Sequence, residues 1–417
     1  MPGSTQSTLN RLLIVSGDFP PAKSGEAGHA FHLARALAER GLEVHVLTSA
    51  IDGVIRHPSL VVHPIMRGWS WSALPRFAKF LNSCAPDAIL LIFLGGMYES
   101  HPMMTFAPTV SRFFLPRVPF ITQFEHTYIT SENNSLLTRL VRKCLAILLN
   151  SNTVSYSYGT LLRDSYHIIA LNEVHQKRLA EIYPEVSVKS ALIPPPPLTR
   201  ICSNQDGAAR LRGRTLLGMN DDDFLLIYYG YIYPGKGIET LLRAFALVCG
   251  QPSRLRLVLA GDVGEHVFSD KVTRAGTHYA RALQELSEQL SISDRIIWTG
   301  PCPPESEEGS LYMWAADACV LPFDKGVHLN NSTFSAAATH GLPIITTRGE
   351  FVESPFVQGE NVWLCPPKDP EALAAGIQFI MENPDVRHRL RAGALTLANK
   401  WFSWDGAVHQ TLALFER

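Results

Sequence analysis

No apolar run in this 417-residue chain is long enough to span a bilayer. The longest, Ala88 to Gly96, falls far short of the ~20 residues a membrane helix needs. The seven cysteines (Cys84, Cys144, Cys202, Cys249, Cys302, Cys319 and Cys365) include no pair at CxxC spacing. Neither a disulfide framework nor a zinc site is signalled, so reduced thiols in a cytoplasmic protein are expected. Net charge is −1, which leaves no electrostatic footprint for nucleic acid. Low-complexity tracts and short-period repeats are absent, and Met1 to Asn10 lacks the charged-then-apolar order of a secretory leader. One segment speaks for a lipid surface: Leu136 to Leu149 mixes Arg139, Arg142 and Lys143 with Leu, Val and Ile. Such a helix could make peripheral contact with an anionic membrane, or be a domain helix with a basic outer face.

What is present is an alternation of apolar strands and amphipathic helices. In the first half the strand candidates are Leu12–Ser16, Glu43–Thr48, Ile89–Leu94, Pro119–Phe124 and Ile168–Leu171. In the second they are Phe224–Tyr229, Leu255–Ala260, Arg295–Thr299, Ala318–Pro322, Leu342–Thr346 and Val362–Leu364. Nearly every one is apolar from end to end, as in a parallel sheet covered by helices on both faces. Between the halves, Pro194-Pro195-Pro196-Pro197 and the unpatterned stretch to Ala209 admit neither helix nor central strand. A hinge near 194–205 is expected, dividing the chain into a first domain over 1–195 and a second from 206.

Ligands of open α/β sheets bind beyond the C-terminal strand ends, so the residues just after each strand carry the information. After the first strand stand Asp18, Ser24, Gly25 and Glu26; later come Glu125 with His126, and Asn172 with Glu173. In the second half Gly230 opens a loop that ends Gly235-Lys236-Gly237. Lys236 is the best phosphate candidate, a compact cation between glycines, although a solvated loop lysine reads the same way. Asn330-Asn331-Ser332-Thr333 precedes the apolar positions Phe334, Ala337 and Ala338, as a helix start with side-chain caps and free amides would. Helix N-termini offer unpaired N–H groups and a partial positive charge, so two such loops could cradle a diphosphate. His126, beside Glu125 at a strand end, could bond a hydroxyl or share a proton; a lone histidine can equally be structural.

Taken in order, these residues resemble the retaining nucleotide-sugar glycosyltransferases of family 4, and the likeness runs over nearly the whole chain. Pro20-Pro21 with Ser24-Gly25 resembles the family's first loop, and Gly230 through Gly237, followed by Leu241, Leu242, Ala244 and Phe245, its lysine-glycine loop. Leu259 to Asp262, Ala316-Asp317, Gly341 to Ile344 and Phe402-Ser403-Trp404 continue the series. The resemblance implies a GT-B fold: two Rossmann-like parallel-sheet domains facing each other across a cleft. The acceptor would lie on the first domain (1–195) and the donor on the second (206–395). A C-terminal helix within 396–417 would cross back to the first domain. It implies His126 near the reacting sugar, Gly25 and Lys236 at the donor phosphates, and a donor site of Gly230, Lys236, His328, Asn330, Asn331, Ser332 and Thr333. Glu26 and Glu125 are candidates on the acceptor side. Family members commonly carry two glutamates with seven residues between them; their equivalents here are His328 and Ala336. A subgroup with a Pro-Phe-x-x-Gly-Val segment lacks that pair, and Pro322-Phe323-Asp324-Lys325-Gly326-Val327 matches it.

The expected reaction is sugar transfer from a nucleoside diphosphate sugar to a carbohydrate or glycolipid hydroxyl, with retention, in polysaccharide or glycoconjugate biosynthesis. No acidic metal signature stands at a strand end, so neither metal nor other cofactor is expected. The alternatives are a GT-B nucleotide-sugar epimerase, a non-catalytic sugar-nucleotide-binding scaffold and, weakest, a dinucleotide oxidoreductase, for which GxGxxG order is missing.

Overall fold

Apolar segments with helices between them have one economical arrangement, a parallel sheet buried on both faces, and this chain builds it twice. A computed structural model describes residues 9–127, 157–220, 222–250, 254–262, 269–303 and 305–416. Two compact units result: Met1–Pro194 with Trp404–Arg417, and Pro195–Ser403.

The first unit holds β1 (Arg11–Ser16), β2 (Glu43–Ser49), β3 (Leu60–Met66), β4 (Ala88–Phe93), β5 (Phe120–Phe124), β6 (His167–Ala170) and β7 (Ser190–Leu192). They pair in parallel in the order β3-β2-β1-β4-β5-β6-β7. Every residue of β4 and β5 is buried; β4 is an unbroken apolar run, and β5 also buries Thr122 and Gln123. The sequence reading missed β3 and β7, and both lie at sheet edges. Edge strands bury one side poorly and tolerate proline, so Leu60–Met66, with Pro64 inside it, shows no strand pattern.

The second unit holds β8 (Phe224–Tyr229), β9 (Leu255–Ala260), β10 (Ile296–Gly300), β11 (Ala318–Leu321), β12 (Ile344–Thr347) and β13 (Trp363–Cys365). Their order is β10-β9-β8-β11-β12-β13, again parallel. In each sheet the strand order reverses beside the first strand, between β1 and β4 and between β8 and β11.

The returning segment is shorter than the expected 396–417. A helix over Pro384–Trp401 runs unbroken through position 396 and buries Leu390, Ala394, Leu397 and Ala398 in the second unit. Only the helix Trp404–Ala413 belongs to the first unit. There the Trp404 ring lies 6.3 Å from that of His29 and 6.0 Å from that of His32, and Asp405 pairs with Arg40. Leu136–Leu149, read as a candidate for membrane contact, lies outside the described residues. Among the described residues no helix is long and apolar enough to cross a membrane.

Candidate active site

In the second unit the strand order reverses between β8 and β11, and the expected donor residues stand on the loops that follow these strands. Their backbones approach very closely. A Cβ on Gly230 would lie 2.4 Å from Thr333 Cγ2, so the loop after β8 touches the first turn of the helix Ser332–Thr339. A Cβ on Gly237, whose φ is +72°, would lie 1.9 Å from the Pro322 carbonyl oxygen. The Asp324 amide donates to the Gly235 carbonyl at 3.1 Å, closing the loop after β11 onto the glycine-lysine loop. Lys236 therefore arises where two loops are stitched together. Its Nζ lies 4.9 Å from the centre of the Tyr233 ring and 5.0 Å from that of Phe323. Among the described residues no carboxylate pairs with it, so its charge stays available to an anion.

The helix start at Ser332 departs from expectation in one respect. Asn331 occupies the cap position, yet no side chain caps the helix. Its Oδ1 instead accepts from the His328 amide at 2.7 Å, while its own amide donates to the His328 carbonyl at 3.0 Å. The side chain is used to close the turn before the helix. Among the described residues, first-turn amides of Ser332–Thr339 thus have no side-chain acceptor, next to Gly230 and half-buried Asn330. His328 Nδ1 meets Glu353 Oε1 at 2.9 Å. Glu353 is fully buried on the segment after β12. It was invisible in the sequence, because Gly349–Glu353 has no periodicity to mark it.

The first unit gathers a second group at the ends of β1 and β5. Ser24 Oγ accepts from the Ala27 amide at 3.0 Å, capping the helix Gly25–Ala38, and donates to Asp18 Oδ2 at 3.2 Å. Around a Cβ placed on Gly25 there is open space, so its backbone is approachable. Glu125 is engaged inward: its Oε1 meets His29 Nδ1 at 3.0 Å and accepts from Gln123 Nε2 at 2.7 Å. Glu125 is thus paired with His29 inside the first unit. His29 and Gln123 were overlooked; they share their elements with other polar residues, Glu26, His32 and Arg35 in the helix and Thr122 in the strand, so nothing singles them out. His126 follows β5, with its ring 5.0 Å from that of His175, whose amide donates to Asn172 Oδ1 at 2.6 Å.

Glu26 shares this neighbourhood. Burial first, and then the charge of Glu125, push its carboxyl up to about 7. A carboxyl raised in the folded state adds stability that is whole below the unfolded value of 4.5 and fades as pH rises through about 7. Glu26→Gln should therefore melt higher than the parent at pH 8, by at most about 3 kcal/mol of stability, and match it at pH 4. Equal melting at both values would contradict this placement of Glu26.

Residues 214–396 match the family model of glycosyl transferases group 1. The group 1 stretch takes in β8 through β13, Lys236 and the helix Ser332–Thr339. The D-inositol 3-phosphate glycosyltransferase of Nocardioides sp. is 27% identical over 263 residues, 60% of this chain and 53% of that protein. The enzyme of that name from Thermomonospora curvata is 30% identical over 218 residues, 50% of this chain and 46% of that one. The chain thus spans about half the length of these curated relatives. Anabaena Alr3699/HepE, solved with UDP, superposes with a TM-score of 0.71 at 15% identity, over 97% of this chain and 99% of that one. The fold is GT-B, with two Rossmann-like parallel-sheet domains.

Of the expected donor residues, the second unit brings Gly230, Lys236, His328, Asn330, Asn331, Ser332 and Thr333 onto adjoining loops. Gly25, Glu26, Glu125 and His126 lie in the first unit, at the ends of β1 and β5.

Proposed function

We propose that the chain transfers a sugar from a nucleoside diphosphate sugar to an acceptor hydroxyl, with retention, in polysaccharide or glycoconjugate biosynthesis. The observation that carries this reading is the contact between Gly230 and Thr333. It sets the lysine loop against a helix end whose first-turn amides, among the described residues, meet no side-chain acceptor. The diphosphate lies across these amides and Lys236. As the glycosidic bond breaks, its electron pair passes to the diphosphate oxygen, and fixed N–H groups with the ammonium stabilise that growing charge. The acceptor oxygen forms the new bond and passes its proton to the departing diphosphate oxygen. No metal is called for in this arrangement. Within the first unit, Glu26, which keeps a proton near neutral pH, can donate a hydrogen bond to an acceptor oxygen, and His126 is a further hydrogen-bonding group for that acceptor.

A thermal-shift panel of UDP, GDP, ADP and TDP sugars tests this. A donor at 100 times its Kd adds about 2.7 kcal/mol to stability, so one nucleotide should raise the melting midpoint by several degrees. HepE's complexes with UDP and with UDP-glucose make uridine the first base to try. A flat response to all four would contradict the proposal. Assay of the binding nucleotide without acceptor separates transfer from epimerisation, which would give an altered nucleotide sugar on its own.

A further inference from the structure

His328 is already held by its backbone. Its amide is bound by Asn331, its carbonyl accepts from Asn331, and the neighbouring Val327 amide donates to the Thr347 carbonyl at 2.9 Å. Glu353 therefore adds something the turn does not need. A buried carboxylate is costly unless its oxygens are bonded, and here one oxygen meets the His328 ring at 2.9 Å and the Leu329 amide at 3.3 Å. When the imidazole is neutral and its Nδ1–H donates to Glu353, the remaining lone pair is on Nε2. Among the described residues Nε2 has no hydrogen-bond partner, and the side chain keeps 26% of its surface exposed.

We propose that Glu353 is a positioning residue that locks His328 with Nε2 outward as an acceptor, so that His328 selects a hydroxyl of the donor sugar. The inference rests on the sugar-nucleotide reading above. Its chemistry complements the rest of the site. The helix amides and Lys236 are donors, suited to phosphate oxygens that only accept. An outward lone pair is suited to a group that donates, which a sugar hydroxyl does and a phosphate oxygen does not. The carboxylate missing at position 328 thus acts through the imidazole, from after β12.

Two measurements test the proposal. The first is calorimetric titration of the full chain with UDP, UDP-glucose and the monodeoxy UDP-glucoses, each lacking one ring hydroxyl. One monodeoxy donor should bind the parent about tenfold more weakly than UDP-glucose. His328→Leu should show that same loss with UDP-glucose and no further loss with that analogue, while binding UDP as the parent does. Glu353→Leu should reproduce His328→Leu, and Glu353→Gln, whose amide oxygen still accepts from Nδ1, should restore the parent pattern. Parallel loss of UDP and UDP-glucose, or unchanged hydroxyl discrimination in Glu353→Leu, would overturn the proposal. Failure of the parent to bind UDP or UDP-glucose would remove the hydroxyl selection for these donors together with the uridine reading. The second measurement needs no ligand: 15N NMR of His328 should show protonated Nδ1 and unprotonated Nε2 in the parent and in Glu353→Gln, with the tautomers redistributed in Glu353→Leu. The same ring signature in all three would show that Glu353 does not set it.

Discussion

Lys236→Ala is expected to lower transfer turnover by about a hundred- to a thousand-fold, the effect of removing one fixed donor from a developing oxyanion, roughly 2.7–4 kcal/mol. Stability should hardly change. In the free protein the ammonium contacts two aromatic rings, and a partly exposed cation–π contact contributes only about 0.5–1 kcal/mol. The pairing of a large kinetic loss with a small melting shift is the diagnostic, because a structural lysine would show the reverse. Lys236→Arg keeps the charge but replaces a compact ammonium with a planar fork, so only partial recovery is expected. Turnover of Lys236→Ala within a few-fold of the parent would remove the lysine from the mechanism.

The largest stability effect is expected at Gly237. Alanine there must adopt φ +72°, and its methyl would sit 1.9 Å from the Pro322 carbonyl oxygen and 2.9 Å from its carbon. Both obstacles are backbone, so no side chain can swing aside. Left-handed backbone costs about 1–2 kcal/mol and overpacking about 1–3 kcal/mol. Gly237→Ala should thus lose roughly 2–5 kcal/mol and lower the melting midpoint by several degrees or more. Gly235 provides the control: its φ is +97°, but a Cβ there meets nothing within 4 Å. Gly235→Ala should show the conformational cost alone. Equal effects at the two glycines would mean that the loops after β8 and β11 are not pressed together as described.

The fold was legible because burial on both faces leaves a plain signature. β4 and β8 are apolar runs that no other element would carry, and their strand ends pointed to the loops that matter. Edges were not legible: β3 and β7 bury little, so Val61, His63 and Pro64 look like loop. The returning segment taken from the family resemblance, 396–417, begins too early: the helix Pro384–Trp401 runs unbroken through 396 and belongs to the second unit. At the site, the residues named from the sequence, Gly230, Lys236 and Asn330–Thr333, stand on the loops after β8 and β11, which the structure brings into contact. Partners brought from distant elements could not be found. Glu353 lies 25 residues from His328 and Glu125 lies 96 from His29, and nothing local marks either pair. Asn331 shows the remaining limit: a cap residue in the cap position can still spend its side chain on the preceding turn.

The central claim is that a diphosphate is held by the uncapped helix start and the glycine-lysine loop of the second unit. A crystal structure of the protein grown with UDP tests this most directly. The account predicts phosphate oxygens within hydrogen-bond distance of first-turn amides of the helix Ser332–Thr339 and of Lys236 Nζ. A diphosphate bound elsewhere, with those amides and Lys236 facing only water, would contradict it.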